Sequence, residues 1–357
     1  MSDDDSVLLH TEGRAGYLTL NRPRALNALH HTMVRRIDEA LSAWERDPAV
    51  ATVVIRGAGE RGLCAGGDIR SIHDDVRSGG GAASKTFWRD EYHLNARIAR
   101  YPKPYVALMD GIIMGGGVGV SAHGSVRIVT ERSRVAMPET GIGFVPDVGG
   151  TYLLARTPGE LGTHLALTGG EMDAGDALLC GLADHFLPAE RLPEFTAALA
   201  GTDVAEALRQ HTEVAPGGEL AGHRTWIDSC YATDSVEEIV DRLERSGEQA
   251  AKQAAQTLLS RSPTALKVTL AALRRARALD SLEQVLDQEF RVSCTALTAP
   301  DLVEGVRAQI VDKDRAPRWS PSRLSEVTSA QVERHFRSLG DEELGLAGGP
   351  DAGTEPV

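Results

Sequence analysis

Residues 6–57 read SVLLHTEGRAGYLTLNRPRALNALHHTMVRRIDEALSAWERDPAVATVVIRG, and the rhythm of this stretch decides the fold class. Residues 7–9 and 17–20 are apolar and strand-like, with Gly13 and Gly16 between them as turn formers. Met33, Ile37, Leu41 and Trp44 then recur at spacings of four, four and three, which places them on one face of a helix. Pro48 follows the helix, and residues 52–55 read as a buried strand. The order β, β, α, β predicts an α/β fold in which a crossover helix returns the chain to its sheet.

The pattern continues more loosely downstream. A loop at 64–68 (CAGGD) leads into a helical or irregular stretch, and 78–84 (SGGGAAS) has the composition of a flexible surface loop. Residues 87–100 are expected as helix, 105–109 as strand, 115–121 as a glycine-rich turn into a helix, and 127–130 and 134–136 as short strands. Beyond about residue 190 the β-like runs give way to helical patterns at 236–243, 250–259, 265–279 and 282–292. Ser262-Pro263-Thr264 reads as a helix start, with proline in the first turn. The expected organisation is an α/β core over 6–190 that carries the site, a helical region over 191–335, and a disordered tail over 340–357, where the chain is acidic and rich in Gly, Pro and Ala.

Composition narrows the function classes. The chain has 357 residues, 42% hydrophobic and 25% charged, with a formal net charge of −13. Such a balance offers nothing to nucleic acid or to an anionic membrane. An anionic small ligand is still compatible, since backbone N–H groups can hold one. Cys64, Cys180, Cys230 and Cys294 are scattered without a C-x-x-C pair, and the histidines add no zinc-type spacing, so a reduced, metal-free protein is expected. The opening residues MSDDDSV are acidic and lack an apolar run, and no stretch approaches the length of a membrane span. A cytoplasmic location is the corresponding expectation.

Two features invite chemistry. Residues 64–68 and Gly115-Gly116-Gly117 are glycine-rich turns, each after an expected strand. Two such turns side by side could aim two N–H groups at one oxygen, forming an oxyanion hole, although for either turn alone a tight loop with no ligand is the better reading. Neither fits a phosphate loop or a dinucleotide fingerprint. Farther on, Glu139 and Asp147 sit eight positions apart in MPETGIGFVPDVGG (137–150), an otherwise apolar segment. Burial raises a carboxylate toward the range useful for a general base. By composition alone, surface carboxylates or a helix cap at Asp147 serve equally well. No G-x-S-x-G is present and His30, His31, His93 and His123 form no triad-like arrangement.

Taken together the motifs resemble those of the crotonase (enoyl-CoA hydratase/isomerase) superfamily. The pieces are Asn21-Arg22-Pro23-Arg24-Ala25-Leu26-Asn27-Ala28-Leu29, then Cys64-Ala65-Gly66-Gly67-Asp68-Ile69, then Gly115-Gly116-Gly117, then Pro138-Glu139 followed by Asp147-Val148-Gly149-Gly150. They occur in the family's order, and further similarity carries the resemblance to about residue 320. The resemblance implies a crotonase-like spiral of β-β-α units followed by helices. It implies an acyl-CoA substrate whose thioester oxygen is held by the N–H groups of Gly67 and Gly116. Ala65, Gly66, Asp68 and Ile69 are expected beside the CoA moiety, with Arg24, Ala25 and Leu26 on its pantetheine side and Lys313 and Arg315 as candidate phosphate contacts. No cofactor is called for, CoA being part of the substrate. Many members associate through their C-terminal helices, so a homo-oligomer is compatible with the resemblance.

The expected reaction turns on Gly119. Hydratases of the family use two glutamates; Glu139 matches one, and the other falls just after the three glycines, where this chain has Val118-Gly119. Glu139 with Asp147, and Glu91 as a substrate contact, instead fit a hydrolase branch acting on 3-hydroxyisobutyryl-CoA. There Glu139 would be nucleophile or general base, and Asp147 would bind the substrate hydroxyl or move protons. The alternatives are hydration or isomerisation of another acyl-CoA, and a non-catalytic acyl-CoA-binding protein.

Overall fold

A computed structural model describes residues 5–348. Strands β1 (Val7–Glu12) and β2 (Ala15–Leu20) pair antiparallel. Helix α1 (His31–Arg46) then returns the chain to β3 (Thr52–Gly57), which lies parallel to β2 with Thr52 opposite Ala15. The expected apolar face of α1 is buried: Met33, Ile37, Leu41 and Trp44, joined by Val34 and Ala40. Each such aliphatic or Met side chain contributes roughly 1.5–3 kcal/mol when fully buried. Gly16 is not a turn residue. It lies within β2, and a β carbon there would stand 2.9 Å from the Trp44 ring; its missing side chain is what lets the indole lie on the sheet.

β4 (Tyr105–Met109), β6 (Val126–Val129) and β8 (His185–Phe186) extend the sheet in parallel, giving the order β1-β2-β3-β4-β6-β8. β5 (Ile112–Met114) and β7 (Arg134–Ala136) form a second, two-stranded parallel sheet. Helices α2 (Ile69–Gly79), α3 (Ala82–Ala99), α4 (Gly116–Gly119), α5 (Gly150–Leu154), α6 (Leu161–Thr168) and α7 (Ala174–Leu179) fill the connections. The stretch 78–84 is not a loose loop. Gly80 and Gly81 make a tight left-handed turn between α2 and α3, and Ser84 is buried within α3, donating from N and Oγ to Asp75 Oδ2 at 2.8 and 2.7 Å.

One face of the main sheet, with Tyr17, Val54, Val106 and Ile128, is covered by α8 (Leu192–Ala198) and α9 (Val204–His211) through Phe195, Leu199 and Ala207. The other face packs into a larger core that runs continuously into α10 (Leu220–Tyr231), α11 (Val236–Arg245), α12 (Gln249–Ser260), α13 (Pro263–Ala276), α14 (Leu282–Ala296), α15 (Pro300–Val306) and α16 (Ser329–Arg334). The change near residue 190 is thus one of secondary structure, while the core runs on across it. Ser262 caps α13 as its sequence suggests, accepting from Ala265 N at 3.0 Å.

The segment from residue 340 differs from expectation as far as residue 348. Arg89 donates to the Glu342 and Glu343 carbonyls, Arg291 pairs with Glu343, and Leu344 is buried. Leu346 N and Ala347 N donate to Asp287. Acidic composition suggested a solvated tail, yet here Glu342 pairs with Lys85 of α3 and Glu343 with Arg291 of α14. The rest of the expected tail, 349–357, lies outside the described residues.

Candidate active site

The two glycine turns are brought together by stitching on both sides. Ala65 N donates to Leu26 O, Leu29 N to Gly66 O and Asp68 N to Leu29 O, at 3.0, 2.8 and 2.7 Å. On the other side Cys64 N donates to Ile112 O, and Met114 N to Cys64 O. Loop 64–68 is therefore clamped between segment 26–29 and β5, directly beside the turn that opens α4. Among the described residues, neither Gly67 N–H nor Gly116 N–H makes a hydrogen bond. A β carbon on Gly116 would sit 3.3 Å from Gly67 N and 2.8 Å from Glu91 Oε1; one on Gly66 would sit 3.6 Å from Gly116 N. Two free donors thus border one small space, the arrangement an oxyanion requires.

That space belongs to a cavity of about 350 Å³. Ala65, Gly66, Gly67 and Ile69 line it from the first turn, Gly115 and Gly116 from the second, and Phe87, Trp88 and Glu91 from α3. Pro138, Glu139, Phe144, Asp147 and Val148 come from the segment between β7 and α5. Trp88 and Phe144 stack at 5.2 Å and form an apolar wall. The helical region closes the cavity with Arg261, Leu302, Gln309 and Ile310.

Three carboxyl groups enter the cavity: Glu91, Glu139 and Asp147, at 2%, 7% and 6% exposure. None has a cationic partner among the described residues. Glu91 Oε1 and Glu139 Oε2 are buried without a hydrogen bond. Burial, and then the Asp147 charge, push Glu91 and Glu139 well above the usual carboxylate range. Burial likewise raises Asp147, to about 7, with a Tyr92 hydrogen bond acting the other way. Such a cluster can hold and pass protons near neutrality.

The segment carrying Asp147 is fixed from outside the cavity. Tyr92 Oη donates to Asp147 Oδ2 at 2.8 Å and lies 2.8 Å from Ser293 Oγ of α14. Glu289, also on α14 and 1% exposed, accepts from Gly149 N, Thr151 N and Thr151 Oγ1 at 2.6, 2.9 and 2.5 Å. Glu289, rather than the Asp147 side chain, therefore caps the N-terminus of α5. Between these anchors Val148 adopts φ +53°, a strained conformation for a β-branched residue. His123 Nε2 donates to its carbonyl at 2.8 Å.

This strain directs Val148 toward Gly119. A β carbon on Gly119 would stand 2.7 Å from Val148 Cβ and 2.9 Å from Asn95 Nδ2. The second glutamate of a hydratase is absent here, and the space for one is filled.

Most expected site residues line the cavity; a few do not. Asp68 is drawn away by Arg22, at 3.0 Å, and stands at the start of α2. Arg24 and Ala25 lie on an exposed 3-10 turn, and Leu26 enters only through its carbonyl, which anchors Ala65. Lys313 and Arg315 are exposed at positive φ, outside the cavity lining, whereas Arg261 stands within it. Tyr92, Ser293, Glu289, Val148 and Arg261 were not legible as site residues. The aromatic cluster at 87–92 was a sign, but such aromatics more often mean core than ligand contact.

Comparison with known proteins agrees on the family and divides on the reaction. The enoyl-CoA hydratase/isomerase family model matches residues 15–336. A curated relative from Xenopus tropicalis, named 3-hydroxyisobutyryl-CoA hydrolase, mitochondrial, is 42% identical over 96% of this chain and 91% of its own. The Homo sapiens relative of the same name is 41% identical over 95% and 90%. Among solved structures, a carnitinyl-CoA dehydratase from Mycobacterium thermoresistibile superposes with a TM-score of 0.93 at 52% identity, covering 96% of this chain and 99% of that one. An enoyl-CoA hydratase from Rhodobacter sphaeroides gives 0.91 at 44% identity, covering 95% and 99%.

Proposed function

The chain belongs to the enoyl-CoA hydratase/isomerase family, and from that membership we propose that it is a hydrolase of 3-hydroxyacyl-CoA thioesters, with 3-hydroxyisobutyryl-CoA as the leading substrate. One observation carries the choice between reactions. The position from which a hydratase's second glutamate would reach the substrate is a glycine whose side-chain space is taken by Val148 and Asn95. The names of the curated relatives point the same way.

In this reading the thioester oxygen sits between the N–H groups of Gly67 and Gly116. The negative charge that develops there meets dipoles already in place, an effect worth several kcal/mol in such sites. Glu139 opens the reaction at the carbonyl carbon, by direct attack or by taking a proton from water. Asp147 handles the proton or receives the substrate's 3-hydroxyl. A group built to bind a hydroxyl is left unpaired by an analogue lacking it, so plain acyl-CoA should be a poor substrate. The reaction needs no cofactor. With the leading substrate it serves valine breakdown.

The reading is tested with a CoA-release panel: 3-hydroxyisobutyryl-CoA, 3-hydroxypropionyl-CoA and unhydroxylated thioesters, on wild type and Glu139→Gln. Free thiol from the hydroxylated substrates, abolished by the substitution, is the expected result. Absence of thiol release together with rapid loss of crotonyl-CoA enoyl absorbance would overturn it in favour of the reactions for which the two solved structures are named.

No helix among the described residues is long and apolar enough to cross a membrane. The cytoplasmic expectation contrasts with the mitochondrial names of the curated relatives, and fractionation of the native host decides between the compartments.

A further inference from the structure

Of the three carboxyls in the cavity, Asp147 alone receives a side-chain hydrogen bond among the described residues. Tyr92 Oη lies 2.8 Å from Asp147 Oδ2 and 2.8 Å from Ser293 Oγ. A phenol carries one proton. Against an Asp147 carboxylate only the phenol can donate, so the Ser293 hydroxyl must donate to the phenol oxygen. The run Ser293 to Tyr92 to Asp147 is then consistently directed, and it ends on an anion, where hydrogen bonds are strongest. Glu139 has no counterpart: its Oε2 is buried and unpartnered, as is Glu91 Oε1.

We propose that Tyr92, held by Ser293, is a positioning residue that keeps Asp147 the charged member of the cluster, so that the resting proton lies on Glu139 and passes to Asp147 when Glu139 acts. This deepens the hydrolase reading and rests on it for its catalytic consequence. The step balances. The Glu139 O–H bond breaks and an O–H bond forms on Asp147, leaving Glu139 free to attack or to deprotonate water. When the C–S bond breaks, the leaving thiolate takes the proton from Asp147, which returns to its charged state; where Glu139 has attacked directly, water then cleaves the mixed anhydride and gives back the protonated Glu139 and the acid product.

The groups around Asp147 agree with this. Glu91 and Tyr92 face it from α3, Glu139 from the segment after β7, and Glu289 and Ser293 from α14. His123, bonded to Val148 O, is neutral because burial lowers it to about 4. Arg261 also lines the cavity, but among the described residues none of the three carboxyls has a cationic partner, so the phenol is what sets Asp147 apart from its neighbours. Burial and the Asp147 charge raise the phenol itself far above its ordinary range, which keeps it a donor.

Tyr92→Phe keeps the ring and its edge contact with Phe290 and removes only the donor. Loss of a donor to an anion favours the protonated form, so the acid limb of kcat/KM for CoA release should move up by about one pH unit. Activity at pH 6 should fall about tenfold while activity at pH 9 stays within about twofold. Ser293→Ala should shift the limb in the same direction by less. A uniform loss at all pH values with the limb unmoved would indicate packing alone and overturn the proposal. The same shift can be read without turnover, from the infrared band of protonated carboxyls, with Asp147→Asn identifying its share. If wild type releases no CoA, the hydrolase reading fails by that result, and an Asp147 band with the same midpoint in Tyr92→Phe would separately overturn the inference.

Discussion

Val148 and Gly119 share one side-chain space, and Val148 occupies it: a β carbon on Gly119 would lie 2.7 Å from Val148 Cβ. Restoring the hydratase glutamate by Gly119→Glu should therefore fail. Forcing a side chain into a filled core costs about 1–3 kcal/mol, and neither Val148, held at positive φ, nor Asn95, fully buried, can easily withdraw. The expected result is a lowered Tm and no hydration of crotonyl-CoA. A hydratase rate from this single change would show that the loop carrying Val148 yields.

Gly116→Ala should separate catalysis from folding. The added methyl would meet Glu91 Oε1 at 2.8 Å and crowd Gly67 N at 3.3 Å, in the space the proposed reaction gives to the thioester oxygen. Loss of oxyanion stabilisation is worth about 10²–10³ in kcat. Steady-state kinetics should show that drop in kcat, while thermal melting stays close to wild type because the Glu91 carboxyl is the movable end of a side chain.

Asp147 should make the protein less stable as pH rises. Its folded value lies near 7, above its ordinary 3.8, so between these limits the folded state binds more protons than the unfolded one. Stability linked to this group is full below about pH 4 and is lost as pH rises through 7. Asp147→Asn removes the dependence. The difference in Tm, variant minus wild type, should grow from pH 4 to pH 7 and level off above; a difference that shrinks over this range would contradict the sign.

Glu289→Ala should destabilise the chain by about 2–4 kcal/mol, since it strands the N–H groups of Gly149 and Thr151 without an acceptor. Urea unfolding measures the loss. CoA release should fall as well, because the same bonds hold the loop between Asp147 and α5.

Much of the fold was written in local patterns. The stripe of α1 and the run of β3 follow from side-chain periodicity, and both appear where expected. The glycine turns and the apolar-flanked carboxylates leave a local mark, but it was the resemblance to the family that named Glu139, Asp147, Gly67 and Gly116 as one site. What could not be read depends on partners far along the chain. Glu289 lies 140 residues from Gly149, and Ser293 lies 201 from Tyr92; nothing in their own neighbourhoods distinguishes them from other polar helix residues. Gly16 was misassigned for the same reason, since its role depends on Trp44. Asp68 was placed beside the CoA moiety by the resemblance, through its loop, and its carboxylate is held by Arg22.

Glu289 and Ser293 also set an order of events. During synthesis, both carboxylates of the 137–150 segment leave the ribosome well before the helix that anchors them has been made. Until that helix arrives, the strained backbone at Val148 keeps its bond from His123 but lacks the Glu289 anchor beside it, and Asp147 lacks the Ser293 end of its support. A nascent chain that has completed its sheet is thus not yet an enzyme, and activity begins only when α14 packs back onto α3 and the 137–150 segment.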